Sequence, residues 1–211
     1  MGRKLIVAEN SDEIEAKLLS VIRDALADNS DGETFSVGLS GGSFVDVLSK
    51  ALPKLQLPAE QWQRWVFFFA DERVVGFDSP DSTWGLYKDK LVKAMPDIGF
   101  GQFVVINPSI SSASECAFDY YSKMKRSFHL PLNAAGFATF DLIFLGMGPD
   151  GHTASLFPGH SLLQVSDDSA LLNIFNPLII NGSQMVNTHH SNIRKQLACS
   201  TIGINLYDLV C

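Results

Sequence analysis

Three short stretches of this chain carry residue types that can do chemistry, and each follows an apolar run. His152 comes directly after Gly146-Met147-Gly148-Pro149-Asp150-Gly151, which can continue neither a strand nor a helix. Its imidazole titrates near ~6.5 when unperturbed, which suits a general base at neutral pH. Asp71-Glu72-Arg73 follows the aromatic run that starts at Trp65. Three charges at the end of a buried strand are costly to bury unpaired. Arg73 could hold a phosphate or carboxylate in a bidentate fork. Asp71 could orient an imidazole or contact a sugar hydroxyl, and an internal ion pair at the sheet rim accounts for the same pattern. Ser40-Gly41-Gly42-Ser43 lies between an apolar run and a helical one. Strand, glycine turn and helix outline a phosphate cradle, because backbone N–H groups and the helix dipole favour an anion there. A tight turn with capping serines fits the same residues. The Walker lysine and the three-glycine dinucleotide fingerprint are both missing, so nucleotide binding is unsupported.

The elements that must position these residues alternate along the chain. Residues 4–8 are expected to form a strand. Asn10 or Ser11 can cap a helix over residues 11–27, with Glu13 three residues after Asn10. Ile14, Leu18, Leu19, Ile22 and Ala25 recur at helical spacing. Residues 29–33 form a turn, residues 35–39 a second strand, and a helix starts near Phe44, with Pro53 near its end. Residues 65–70 are the third strand. Ser82 can cap a helix over residues 83–95, in which Gly85 costs about 1 kcal/mol relative to alanine and so implies a packing or ligand reason. Residues 103–106 are expected as a fourth strand, and a helix runs from about Ser114 through Phe128. Residues 142–145 are continuously apolar, as in a strand buried on both faces of a parallel sheet. A short helix is expected over residues 153–157. Such alternation predicts an α/β fold: three layers, a mostly parallel sheet with helices on both faces. Open sheets of that kind bind ligands at the carboxyl edge of their strands, where all three motifs fall.

The bulk numbers narrow the function classes. The chain has 211 residues, 46% hydrophobic and 18% charged, an ordinary globular balance. The formal net charge is -7 and the sequence pI is near 5.1. No basic stripe suggests a nucleic-acid partner, and an anionic ligand needs a local positive site. The three cysteines, Cys116, Cys199 and Cys211, match no zinc spacing, and a reducing compartment is the simple reading. No run approaches the ~20 apolar residues of a membrane span. A cytoplasmic monomer without nucleic-acid or membrane partners is expected. His189-His190 has no further ligand at useful spacing and is read as surface.

With Ser40-Gly41-Gly42-Ser43, Asp71-Glu72-Arg73-x-Val75, Ser82-Thr83-Trp84-Gly85 and the block from Gly146 through His152-Thr153-Ala154-Ser155-Leu156-Phe157-Pro158-Gly159 in this order, residues 1–164 resemble the 6-phosphogluconolactonases. The resemblance implies a Rossmann-like fold shared with glucosamine-6-phosphate deaminases and ribose-5-phosphate isomerases. It also implies hydrolysis of a sugar phosphate lactone, 6-phospho-D-glucono-1,5-lactone, in the oxidative pentose phosphate pathway, with no metal or organic cofactor. Deaminase relatives carry tyrosine where this chain has Arg73 and continue differently after the histidine, which favours the lactonase. By the same resemblance His152 is the general base on water, and Asp71 its candidate orienter. Ser40, Gly41, Gly42, Ser43 and Arg73 would hold the 6-phosphate. Gly148, Asp150 and Gly151 are expected at the substrate, with the turn amides as oxyanion donors. His160 is read as a loop residue.

Residues 165–211 depart from that pattern. The family's Gly-x-x-Lys-Ala turn is absent, so its lysine is not carried onto Lys195. The expected organisation is an incomplete α/β domain over residues 1–164 and a divergent segment over 165–211. An exposed strand edge would follow, and with it a second hypothesis: a non-catalytic or unstable variant that still binds sugar phosphate.

Overall fold

Alternation of side chains along three buried strands builds the centre of the molecule. The computed structural model describes residues 5–127, 139–159, 179–180 and 201–204. β1 (Phe35–Leu39) lies between β2 (Trp65–Phe69) and β4 (Leu142–Gly146), parallel to both. Trp65, Phe67 and Phe69 of β2 join Phe35, Val37, Leu39, Leu142 and Phe144 in one core, under α1 (Ser11–Asp28), α2 (Phe44–Ala51) and α4 (Thr83–Tyr87). The alternate residues Val66 and Phe68 face a second core with Cys116, Ala117, Tyr120 and Met124 of α5 (Ala113–Ser127). Two cores on opposite faces of one parallel sheet give the three-layer α/β architecture that the alternation predicts. The short α3 (Ala59–Trp62) leads into β2.

Local chemistry fixes these elements. Asn10 caps α1 by accepting from the Glu13 N–H at 2.9 Å, and Glu13 accepts from the Glu9 N–H in return. Asp141 accepts from both the N–H and the hydroxyl of Ser36, at 2.7 and 2.6 Å, and from Asn29 at 2.6 Å. That carboxylate pins the start of β4 to β1, and so sets the register on which the site depends. On the other face of the sheet the Tyr120 hydroxyl accepts from the Phe69 N–H at 2.8 Å, docking α5 at the end of β2. Gly85 has the packing reason its cost implies: a Cβ there would lie 2.3 Å from the Phe77 carbonyl oxygen.

Several expectations are corrected. Residues 5–8 form no strand. Leu5 and Val7 are largely exposed, and without a ladder or a core an extended segment gains nothing from β geometry. The helix from Thr83 stays α-helical to Tyr87 and continues as a π-helix, Lys88–Val92. Residues 103–106 make a single bridge, Phe103 to Phe67, rather than a strand, and the carbonyl of Val105 accepts from Lys123 of α5. Residues 153–157 are a tight turn rather than a helix. β4 is not left with a bare edge: β6 (Thr201–Ile204) pairs with it in parallel, giving the order β2-β1-β4-β6 among the described residues. A second parallel pair joins β3 (Glu72–Arg73) to β5 (Ile179–Ile180). Both of these partner strands come from the segment expected to diverge. His160, the His189-His190 pair, Lys195, Cys199 and Cys211 lie outside the described residues.

Candidate active site

Parallel pairing forces the three chemical motifs onto one edge. β1 aligns Leu39 with Phe69 and Gly38 with Ile143, so the chain leaves β1, β2 and β4 on the same side of the sheet. Ser40 sits at the junction, with its hydroxyl accepting from the Gly146 N–H at 3.5 Å and its carbonyl accepting from the buried Tyr87 hydroxyl at 2.9 Å.

The turn after β1 presents backbone. Gly42 adopts φ +64°, a left-handed conformation that favours glycine, and a Cβ there would meet nothing. Gly42 and Ser43 are exposed, and the Ser43 side chain makes no capping bond to α2. Among the described residues no protein acceptor takes the N–H groups of Gly41, Gly42 or Ser43. Free amides at a helix N-terminus suit an anion. Phe44 packs on Phe144 with ring centroids 5.0 Å apart, so α2 starts from β4's own core.

The loop after β4 presents a side chain. His152 Nδ1 lies 2.5 Å from Asp150 Oδ1. The His152 bonds, from ring first and backbone second, hold the Asp150 carboxyl below the usual carboxylate range. An ionised Asp150 accepts a hydrogen bond from Nδ1–H, so the proton stays on Nδ1 and Nε2 is left as the acceptor. The ring stacks on Phe157, with centroids 4.5 Å apart. Its backbone is clamped twice: the His152 carbonyl accepts from the Gly148 N–H at 2.8 Å, and Thr153 bridges Met147 and Leu156. Gly148 is obligatory here, since a Cβ would stand 2.1 Å from the imidazole. This geometry changes one expectation. The N–H groups of Gly148, Gly151 and His152 already donate within the loop, and Pro149 has none. Of the turn from Gly148 to Gly151, only the Asp150 N–H is left over for an oxyanion.

Asp71 and Glu72, adjacent in an extended stretch, point to different neighbours. Asp71 Oδ2 accepts from the Ser155 hydroxyl at 2.7 Å. Burial pushes the Asp71 carboxyl up, opposed by the Ser155 bond and then by the charges of Arg73 and His152. Asp71 thus feels the charges of both Arg73 and His152 and bonds the His152 loop, while the carboxylate on the ring itself is Asp150. Glu72 turns the other way. Its Oε1 accepts from the Ser82 hydroxyl at 3.1 Å and the Thr83 N–H at 3.0 Å. Burial raises its pKa to about 7, against those two bonds, with the Asp71 charge adding to the rise. Thr83 in turn packs on Gly41, where a Cβ would lie 3.1 Å from its hydroxyl. Arg73 is half-buried and forms no ion pair closer than the salt-bridge distance among the described residues. No group of metal-ligating side chains occurs among the described residues.

Four contributors escaped the sequence reading: Ser155, Phe157, Tyr87 and Thr83. Ser155 and Phe157 lie inside the block that contains His152, which marks the stretch without marking the residue. Tyr87 and Thr83 carry no local signal, because their roles exist only once α4 is packed against the turn after β1.

Known proteins resemble this chain at both levels. The family model described as glucosamine-6-phosphate isomerases/6-phosphogluconolactonase matches residues 8–178. The 6-phosphogluconolactonase of Bos taurus is 44% identical over 135 residues, covering 63% of this chain and 50% of the relative. That of Rattus norvegicus is 40% identical over 162 residues, covering 75% and 61%. The chain thus spans about half to three-fifths of the length of the curated relatives it matches. The solved 6-phosphogluconolactonase of Trypanosoma cruzi superposes with a TM-score of 0.62 at 26% identity, covering 76% of this chain and 64% of that one. The Thermotoga maritima structure gives 0.57 at 27%, covering 74% and 63%.

Proposed function

The chain belongs to the family of glucosamine-6-phosphate isomerases and 6-phosphogluconolactonases, and from that membership we propose that it hydrolyses 6-phospho-D-glucono-1,5-lactone to 6-phospho-D-gluconate. The observation that carries this reading is the Asp150–His152 pair, standing at the same sheet edge as the open glycine turn and Arg73. A free Nε2 can take a proton from water as that water attacks the lactone carbonyl, a role worth about 10²–10⁴-fold. Asp150 holds the ring in the tautomer this requires, and stabilises the imidazolium formed. The ring C–O bond then breaks, and the proton passes from the imidazolium to the leaving alkoxide. The substrate's two anionic points, its 6-phosphate and the developing oxyanion, fall to Arg73 and the amides of Gly41, Gly42 and Ser43, since most of the His152 loop's own amides are spent within it. Arg73 in place of the deaminases' tyrosine supports the lactonase over the isomerase. The reading takes the enzyme as a cytosolic monomer. It also takes residues 1–164 as the part that carries the chemistry.

The test is hydrolysis of the phosphorylated lactone by the full chain, measured above the spontaneous rate. We expect a clear excess that His152→Ala lowers by at least 10²-fold. An excess that survives His152→Ala overturns the mechanism. No excess at all, with 6-phosphogluconate still bound, identifies a non-catalytic sugar-phosphate binder.

A further inference from the structure

Ser155 has no part in the mechanism above, yet it is buried, with 5% of its surface exposed, and its hydroxyl is directed at a carboxylate. It occupies the tip of a two-residue turn. The Thr153 N–H donates to the Leu156 carbonyl at 3.2 Å, and the Leu156 N–H donates back to Thr153 at 2.9 Å. Ala154 within that turn holds φ +48°, a left-handed conformation that costs an alanine about 1–2 kcal/mol. Such strain persists only where surrounding contacts over-determine it. Leu156 and Phe157 supply apolar burial on one side. On the other, the Ser155 hydroxyl donates to Asp71 at 2.7 Å.

The bond joins two parts of the site that share no strand. Ser155 is three residues beyond His152 on the loop after β4. Asp71 is two residues before Arg73, beyond the end of β2. Between β2 and β4 lies the whole of β1. The Ser40–Gly146 contact ties the end of β4 to the turn after β1 and does not reach Arg73. We propose that Ser155 is a positioning residue which, through its bond to Asp71, sets the separation between the His152 imidazole and the Arg73 guanidinium, and thereby the fit of a phosphorylated lactone held at both ends. The inference rests on the hydrolase reading of the same site.

Ser155→Ala removes the hydroxyl and nothing larger. Its kcat is expected to fall by roughly ten- to a hundred-fold, the loss typical of a misplacement near 1 Å. KM should change less than three-fold, because the groups that bind phosphate are intact. The second readout ties any loss of kcat to the bond itself: the titration of the Asp71 carboxyl, followed by carbon NMR on aspartate-labelled protein with Asp71→Asn for assignment. Loss of the Ser155 bond must move that midpoint upward, since the bond is what lowers it against burial. Both changes together, in a variant that unfolds at the wild-type temperature or within a few degrees of it, support the proposal. A kcat equal to wild type overturns it, whatever Asp71 does. A lowered kcat with an unmoved Asp71 titration also overturns it, because the effect would not then pass through Asp71. A wild-type protein lacking His152-dependent turnover would instead sink the hydrolase reading, and the Asp71 titration would still report whether the bond exists.

Discussion

The loops after β1 and β4 begin alike and end differently. Each follows a buried parallel strand, and each opens with two glycines near a polar residue. The first runs straight into α2, so its amides stay unpaired and face outward. The second folds back on itself through the Thr153 bridges, so the amides of Gly148, Gly151 and His152 are used internally and what it presents is one side chain. A glycine-rich turn at a strand's end is therefore not a single device. With a helix after it, it offers donors to an anion. With a tight turn after it, it becomes a mount for a base.

The same substitution in each loop should separate these roles. Gly148→Ala places a methyl group where the imidazole now lies, 2.1 Å from its ring carbon. The ring must leave its bond to Asp150, and hydrolysis should drop by roughly 10²-fold or more with folding largely kept. Steady-state kinetics beside a thermal melt would show this; an active Gly148→Ala protein would erase the distinction between the loops.

Glu72→Gln probes what stands behind the first loop. A carboxyl whose folded pKa is raised to about 7 binds its proton more tightly in the folded protein than in the unfolded chain. Its contribution to stability is complete below the ordinary carboxylate range and is lost as pH rises through about 7. The rise corresponds to about 3 kcal/mol between those limits. Glutamine keeps an oxygen for Ser82 and Thr83 but cannot ionise, so the variant should show a flatter fall in denaturant midpoint from pH 5 to 8 than wild type. Identical slopes would mean that burial does not hold the Glu72 carboxyl above its usual range.

Gly42→Ala should be the mildest of the three. Nothing lies within reach of the added methyl, so the cost is the left-handed backbone alone, about 1 kcal/mol. Substrate affinity should weaken by a few-fold while kcat holds. A large kcat loss here would put the first loop's amides on the reacting carbonyl rather than on the phosphate.

Much of this was legible in the sequence. The continuous apolar run at residues 142–145 announces a strand buried on both faces, residues 35–39 read as a strand, and α1 is marked by its cap as well as its period. What could not be read was pairing. Residues 4–8 and 103–106 have strand composition, yet a strand exists only if a neighbour accepts its ladder, and composition does not name the neighbour. Within the site, the sequence marks His152 through its surroundings, but it cannot say which of two nearby aspartates meets the ring. Asp150 meets it because the turn at Gly151, with φ +85°, brings the chain round within two residues. Asp71 bonds Ser155 because β2 and β4 flank β1, a fact of topology rather than of spacing.

β6 gives this topology a temporal side. The strand that leads to His152 receives one flank from β1, made well before it, and the other from Thr201–Ile204, made long after it. During translation that strand must wait, half-zipped, with a row of peptide groups turned to solvent. Such distant partners also meet slowly once both are available. The nascent chain is thus most vulnerable to sticking to its neighbours in the interval before its own final rungs emerge from the ribosome.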